Sequence, residues 1–373
     1  MLLDLEERDR RYKLVRDKMS AKGLDALIVV ANAQYEQKGF ARYLSNYNNR
    51  MYGTLVIFPL EGEPKFIVPS PFQEYWSKRM AWIRDVEISP VFGEGLVKNL
   101  KAMGLANGKL GLISHKIIPA DTYMYLIENC PDATVVDATE LLEEARMIKS
   151  EKEQQLARTA ARLADLSLET AAKLLKAGIP ELEVMAEVDR QLIANGAEHI
   201  NHLFRANPDD LFPSVPTDRL IQKGDAVIVN TEVSGPEGYW VQTLRTSFIG
   251  SPKKNLARMY DTAMEIRSRT VEELYPGKKV SEIVDNLRKI IIDAGYDATP
   301  NFGHAMGLDI VEHPFMRVGN DTVLASGMVI TIHPMVVSQA DNASVVLGDT
   351  YLLSDSGPEL LTKFDPLAMK ILD

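Results

Sequence analysis

Five of the six histidines, His199, His202, His304, His313 and His333, lie in the second half of this 373-residue chain. Imidazole titrates closer to neutrality than any other unperturbed side chain, so proton transfer or metal binding would be concentrated there. His333 is the most unusual of the five. It stands in GMVITIHPMV (327–336) after Val329, Ile330, Thr331 and Ile332, whose branched side chains mark a buried strand. Burying an imidazole without a partner costs free energy. His333 is therefore a catalyst, a metal ligand or a core side chain that has found a hydrogen bond. His115, beside Lys116, reads as a solvated loop residue. Neither G-x-x-x-x-G-K-[ST], G-x-G-x-x-G nor G-x-S-x-G occurs, so phosphate-loop, dinucleotide and nucleophile-elbow chemistry have no motif to rest on. No cofactor is expected.

The bulk properties narrow the class. A chain of 41.6 kDa exceeds the size at which one core usually stops growing, which predicts two domains. The net charge of −10 argues against nucleic-acid or anionic-membrane partners, which reward clustered Lys and Arg. The single cysteine, Cys130, excludes an intrachain disulfide and any multi-cysteine metal site, and fits a cytoplasmic location. The first twenty residues are charged and helical in pattern, without the apolar core of a signal peptide. No run of about 18 apolar residues suggests a membrane span.

The elements that must position the histidines form two groups. In residues 1–147, a helix over Asp9 to Lys22 alternates with short apolar strands at 23–30, 52–59, 64–69 and 109–114 and a helix near 121–129. That alternation predicts a small α/β domain. In residues 148–373, Ser150 and Glu153 have capping-box spacing and open a long helix to about Lys176. Helices at about 181–195, 256–274 and 281–294 follow, with strand-like stretches at 226–233, 239–250, 327–336 and 344–353. This pattern predicts an α+β domain whose helices cover one face of a curved sheet.

Four ordered blocks, GDAVIVNTEVSGPEGYWVQTLRTSFIG, NFGHAMGLDIVEHP, GMVITIHPMV and VVLGDTYLLSDSGPELLT, resemble the pita-bread family of creatinase, proline dipeptidase, aminopeptidase P and methionine aminopeptidase. The resemblance covers nearly the whole chain. It implies a pita-bread C-terminal domain and a smaller, ribonuclease H-like N-terminal domain of the creatinase type, joined at ARMIKSEKEQ (145–154). The family's metallopeptidases hold two divalent ions with two aspartates, one histidine and two glutamates. At the matching positions this chain has Asn230, Gln242, His304, His333 and Gly348, so only the histidine is kept. Two hard cations would meet no carboxylate there, which argues against a dinuclear peptidase. One zinc-like ion on His304 and His333, with Glu312 or Glu232, is the weaker metal alternative.

Creatinase is the family member that works without metal, and SNYNNRMYG (45–53) is similar to its stretch whose arginine reaches a neighbouring subunit's pocket. Arg50 falls on that arginine, which implies a homodimer and a substrate carboxylate held by a guanidinium. The match then breaks. Pro213 or Ser214 falls where creatinase has its catalytic histidine, and Val311 replaces the second histidine of the family's glycine-histidine block, while Glu312 is kept. The acid/base group is therefore expected to have moved to His333, His304 or His202. Glu312 and Glu232 would orient an imidazole or hold a cationic group. Asn230 and Gln242 would face the substrate, and Arg245 would bind it or serve as an ion-pair partner. His199 and His313 are expected to be structural. The expected reaction is metal-independent hydrolysis of a C–N bond in a small carboxylate-bearing, non-peptide molecule. A metal-free lyase or decarboxylase, an Xaa-Pro dipeptidase-like enzyme and a silent ligand-binding member are the alternatives.

Overall fold

Six consecutive apolar residues, Ala26–Ala31, form strand β1, and every one is buried. A run that is apolar without alternation needs cover on both faces, and the sheet supplies an interior place. The computed structural model describes residues 3–32 and 38–372. In it β1 is followed by β2 (Thr54–Pro59), β3 (Lys65–Val68), β4 (Asp85–Ile88), β5 (Lys109–Ile113) and β6 (Thr134–Asp137), in the order β4-β3-β2-β1-β5-β6. Helices α1 (Leu5–Lys22), α2 (Gly39–Ser45), α3 (Pro71–Met80), α4 (Phe92–Ala102), α5 (Ala120–Asn129) and α6 (Thr139–Met147) alternate with these strands. The helix read at Asp9 begins earlier because Asp4 caps it, accepting the Glu7 amide at 3.1 Å. Helices α2, α3, α4 and α6 have no counterpart in the sequence reading. Helix α3 turns Phe72, Tyr75 and Trp76 outward, which hides its buried face in the sequence, and α4 opens its buried face on Gly93 and Gly95 ahead of Leu96, Val97 and Leu100. These elements make up the compact unit Met1–Arg146; the second unit is Met147–Asp373.

The second unit opens on α7 (Glu151–Leu174), where both capping-box hydrogen bonds form: Ser150 accepts the Glu153 amide, and Glu153 accepts the Ser150 amide. Tyr239 donates to the other Glu153 oxygen at 2.6 Å, tying the cap to the sheet. After α8 (Glu181–Ala194) come the long antiparallel strands β7 (His199–Arg205), β8 (Ala226–Ser234) and β9 (Trp240–Ile249). Val227, Val229, Val233 and Val241 pack on Ala160, Leu168 and Val188 from the two helices. Ile228 and Leu244, on the opposite face, pack with Val346. Helices α9 (Lys254–Glu273) and α10 (Val280–Asp293) cover a second core that includes Ile330, Ile332 and Tyr351.

The two stretches each read as one strand are both broken. GMVITIHPMV gives β13 (Val329–Ile332) and β14 (Met335–Ser338), and 344–353 spans β15 (Ala343–Val346) and β16 (Asp349–Ser354). They are preceded by β10 (Asp297–Ala298), β11 (Asn301–Ala305) and β12 (Glu312–Arg317), and followed by β17 (Gly357–Leu360) and β18 (Ile371–Leu372). Strands β14 and β15 join β10 in a three-stranded sheet, whereas β13 and β16 belong to the five-stranded sheet β12-β11-β13-β16-β17. His333 and Gly348 therefore occupy the joints where the chain changes sheets. Pro334 cannot donate to a ladder, which is the physical reason for the first break.

A buried ion pair clamps the second joint. Arg245 donates to the Gly348 carbonyl at 2.8 Å and to Asp349 at 2.7 Å, while Arg267 reaches the other Asp349 oxygen at 2.6 Å. Thr362 adds a hydrogen bond at 2.9 Å. Removing one partner of such a network leaves a buried charge unpaired. Asp349→Asn is expected to lower the unfolding free energy by about 3–5 kcal/mol in urea titrations; a loss below about 1 kcal/mol would show that the joint is held by packing instead.

Candidate active site

The site is built where β9 meets β16. Leu244 and Gly348 exchange backbone hydrogen bonds of 3.0 Å in both directions. Two residues back along β9, on the face of Leu244, Gln242 donates its side-chain amide to Asn230 of β8 at 3.1 Å. Glu232 lies opposite Gln242 across the strand pair and accepts the Asn201 amide at 2.5 Å. At the joint, a Cβ on Gly348 would lie 2.7 Å from the His333 Cβ and 2.6 Å from Leu244 Cδ1. Glycine is required by this approach, and it brings His333 against the same strands.

His304 of β11 completes the group. Its ring centroid is 5.5 Å from that of His333, edge to face. Nδ1 of His304 is 3.0 Å from the Ala305 carbonyl, which can only accept, so Nδ1 carries the proton and Nε2 the lone pair. Burial lowers the His304 pKa, partly offset by the Ala305 carbonyl and by the Glu312 carboxylate. His333 is pushed down to about 3, first by burial and then by its neighbour His304. His333 as a whole is half-buried, but its Nε2 is sealed and unpartnered, as is Oε1 of Gln242.

Glu312, kept at the edge of the site, pairs with the Lys149 ammonium at 3.0 Å, and both side chains are almost fully buried. Its carboxylate also accepts the Asp309 amide at 3.2 Å and fills the space beside Gly307, where a Cβ would sit 2.5 Å from it. Lys149 was not foreseen as a site residue. Its partner lies 163 residues further along the chain, which no local pattern signals. Asn201, which holds Glu232, was also missed.

Two sequence expectations are corrected by geometry. His202 pairs with Thr231 on the helix-covered face of the sheet, opposite to Asn230 and Gln242. Its Nδ1 lies 3.1 Å from Thr231 Oγ1 and its Nε2 2.8 Å from Asp189 of α8, so it does not join His304 and His333. Arg245 alternates to the same helix-covered face and is consumed by Asp349 and backbone carbonyls, so it does not face the substrate position. Burial and the neighbouring His304 push the His333 pKa down to about 3, which disfavours proton uptake on this ring near neutrality. Arg50 is exposed in the first unit, next to the buried Asn49. His199 stacks at 6.1 Å on Trp240, and His313 packs at 4.5 Å on Phe315.

Residues 155–355 match metallopeptidase family M24, and residues 11–148 match the creatinase/prolidase N-terminal domain. The chain belongs to metallopeptidase family M24. Among curated relatives, the Xaa-Pro dipeptidase of Pyrococcus horikoshii is 31% identical over 229 residues, covering 60% of this chain and 65% of the relative. The match thus spans a little under two thirds of that protein. Creatinase from a Bacillus species is 23% identical over 388 residues, covering 96% of this chain and 91% of the relative. Among solved structures, the prolidase from Pyrococcus horikoshii superposes with a TM-score of 0.83 at 26% identity, covering 95% and 99% of the two chains. The N-terminal domain of the FACT subunit SPT16 from chickpea reaches 0.79 at 14% identity over 99% and 100%, a likeness of fold alone. The M24 chain described here has the pita-bread fold with a creatinase-type N-terminal domain.

Its donor set does not fit the ion pair that the family name implies. None of the five matching positions bears a carboxylate, and hard dications require anionic oxygen. Among the described residues, no three His, Cys, Asp or Glu side chains gather as a metal-holding group. The space at Gly348 is taken by Leu244 and His333. Gly348→Ala should therefore cost at least about 1 kcal/mol in thermal or urea unfolding through overpacking; an unchanged stability would refute the close approach. The His333 pKa also sets a pH dependence. Between about 6.5 and about 3 the unfolded chain binds a proton on His333 that the folded chain resists, so stability falls as pH drops through this window. His333→Gln is expected to flatten that part of the stability curve, and a parallel curve would rule out the neutral, buried imidazole.

Proposed function

We propose that this M24 protein is a metal-independent hydrolase that cleaves a C–N bond in a small, carboxylate-bearing, non-peptide molecule. The reading rests above all on the pairing of His304 and His333 among the five matching positions, where Asn230, Gln242 and His333 stand in place of carboxylates and Gly348 has no side chain. His304 is the base. Its Nδ1–H is held by the Ala305 carbonyl, which directs the Nε2 lone pair outward from that bond, and Glu312 favours the imidazolium that forms. Water gives a proton to Nε2 as its oxygen bonds to the carbon. The C–N bond then breaks, and the proton passes from Nε2 to the departing nitrogen. His333 stays neutral throughout and acts as an acceptor that orients a hydrogen-bond donor. Arg50 of a second copy binds the carboxylate, which makes the working form a homodimer.

A silent ligand-binding role is the second reading, favoured by the apolar cluster of Ile228, Leu244 and Val346 on the site face. Turnover separates the two. A panel of small amide, ureido and guanidino acids assayed with and without chelator should yield one substrate whose turnover is indifferent to chelation. His304→Gln should lower kcat by about 10²–10⁴-fold, and Arg50→Ala should raise KM by about tenfold or more with kcat little changed. Two bound equivalents of manganese, cobalt or zinc per purified chain would overturn the metal-free reading.

A further inference from the structure

Helix α3 (Pro71–Met80) turns polar residues inward and apolar residues outward. Gln73 and Ser77 are buried, whereas Phe72, Tyr75, Trp76 and Met80 are 57%, 51%, 42% and 46% exposed. A surface helix of a globular protein normally does the reverse. The helix is firmly started, because Ser70 accepts the Gln73 amide and Pro71 stands at its first turn. Its aromatic side chains are already ordered. Tyr75 meets Trp76 edge to face at 5.2 Å, and the Arg79 guanidinium lies 3.5 Å from the centre of the Tyr75 ring. Gln73 also donates to Asn49 at 3.4 Å, which brings the chain at Met51 and Tyr52, themselves exposed, beside the helix. These six side chains present roughly 600 Å² of surface. That is the upper end of what a monomer shows, and most of the about 800 Å² each partner gives to a standard interface.

The order of residues along α3 points to the partner. About Trp76 the helix is a chemical palindrome: Phe72 and Met80 lie four residues to either side, and Glu74 and Lys78 two. A second copy laid antiparallel, with a two-fold axis at Trp76, sets Trp76 on Trp76, Phe72 on Met80 and Glu74 on Lys78. Apolar then meets apolar and each carboxylate meets an ammonium, as an interface between identical patches requires. Glu74 and Lys78, 2.7 Å apart within one copy, become part of a four-charge rim. A membrane surface would require no such palindrome, and an anionic one would repel a chain of net charge −10. We infer that α3 is the self-association face of this protein, pairing antiparallel with α3 of a second copy. The inference rests on the hydrolase reading only for the presence of a second copy, and adds the surface that recruits it.

Sedimentation velocity on the full chain is expected to show a dimer. Trp76→Glu should raise its dissociation constant about 10²-fold or more, since a central aromatic is a hot spot and the axis counts it twice. Circular dichroism of that variant should match the unaltered chain, its side chain being at the surface. A second variant keeps the test open should Trp76→Glu fold poorly. Trp76→Cys puts two thiols across the axis, and the native Cys130 is buried. A short bis-maleimide should therefore join Trp76→Cys chains into covalent dimers and leave Lys289→Cys, changed at an exposed position of α10, unjoined. A monomeric unaltered chain would overturn the inference, and would take Arg50 of a second copy out of the hydrolase reading; its cosedimentation with phosphatidylcholine vesicles would assign α3 to a membrane instead. A dimer that withstands Trp76→Glu, or whose Trp76→Cys form is not joined, would overturn the α3 surface and leave the Arg50 arrangement standing. Pairing through α3 with turnover indifferent to Arg50→Ala would keep the surface and remove the carboxylate clamp.

Discussion

The site depends on how closely β9 approaches β16 at Leu244 and Gly348. The two backbones exchange hydrogen bonds at this point, and the absence of a side chain at 348 lets the His333 Cβ and the Leu244 methyl occupy the space. Arg245 holds the arrangement from the covered face by gripping the Gly348 carbonyl and the next residue, Asp349. A guanidinium suits this task because its planar donor fork serves a carbonyl and a carboxylate at once. The same approach that seats His333 leaves no volume for a carboxylate at 348. Placement of one imidazole and loss of one anionic ligand are thus two results of a single contact.

Charge follows the same logic. A pocket built for dications needs carboxylates, and without the ions those carboxylates would repel one another. Here the amide pair Gln242–Asn230 occupies two of the positions with no net charge, and the carboxylate kept at Glu312 has its own buried ammonium, Lys149. Breaking such a pair is costly even where forming it gains little, so each member constrains the other. The Glu312 carboxylate fills the volume beside Gly307, which places the charge within electrostatic reach of His304.

What could be read from the chain divides by range. The capping box of Ser150 and Glu153 was legible because its partners are three residues apart. The family blocks were legible because their order and spacing survive the loss of the ligands. The break at His333 was not, since the apolar run continues across it and only Pro334 signals the change of sheet. Lys149 could not be recognised because its partner lies 163 residues away. His202 was assigned to the wrong face because strand parity depends on the pairing of β7 with β8, and the 206–225 connection is too long and irregular to set it. Arg245 shows the same limit: its position on the strand was clear, and its direction was not.

The two neighbouring imidazoles show how environment divides one chemistry into two roles. Both are desolvated, which favours the neutral ring in each. His304 has a carbonyl fixing its tautomer and a carboxylate nearby, both of which favour positive charge on the ring when it takes a proton. His333 faces His304, which opposes a second charge, and has only its own backbone in compensation. Two titratable groups of one type are thereby held at different basicities a few ångströms apart, the arrangement by which a site assigns a base and a neutral hydrogen-bonding partner. That difference in basicity reaches only the few atoms the rings can touch.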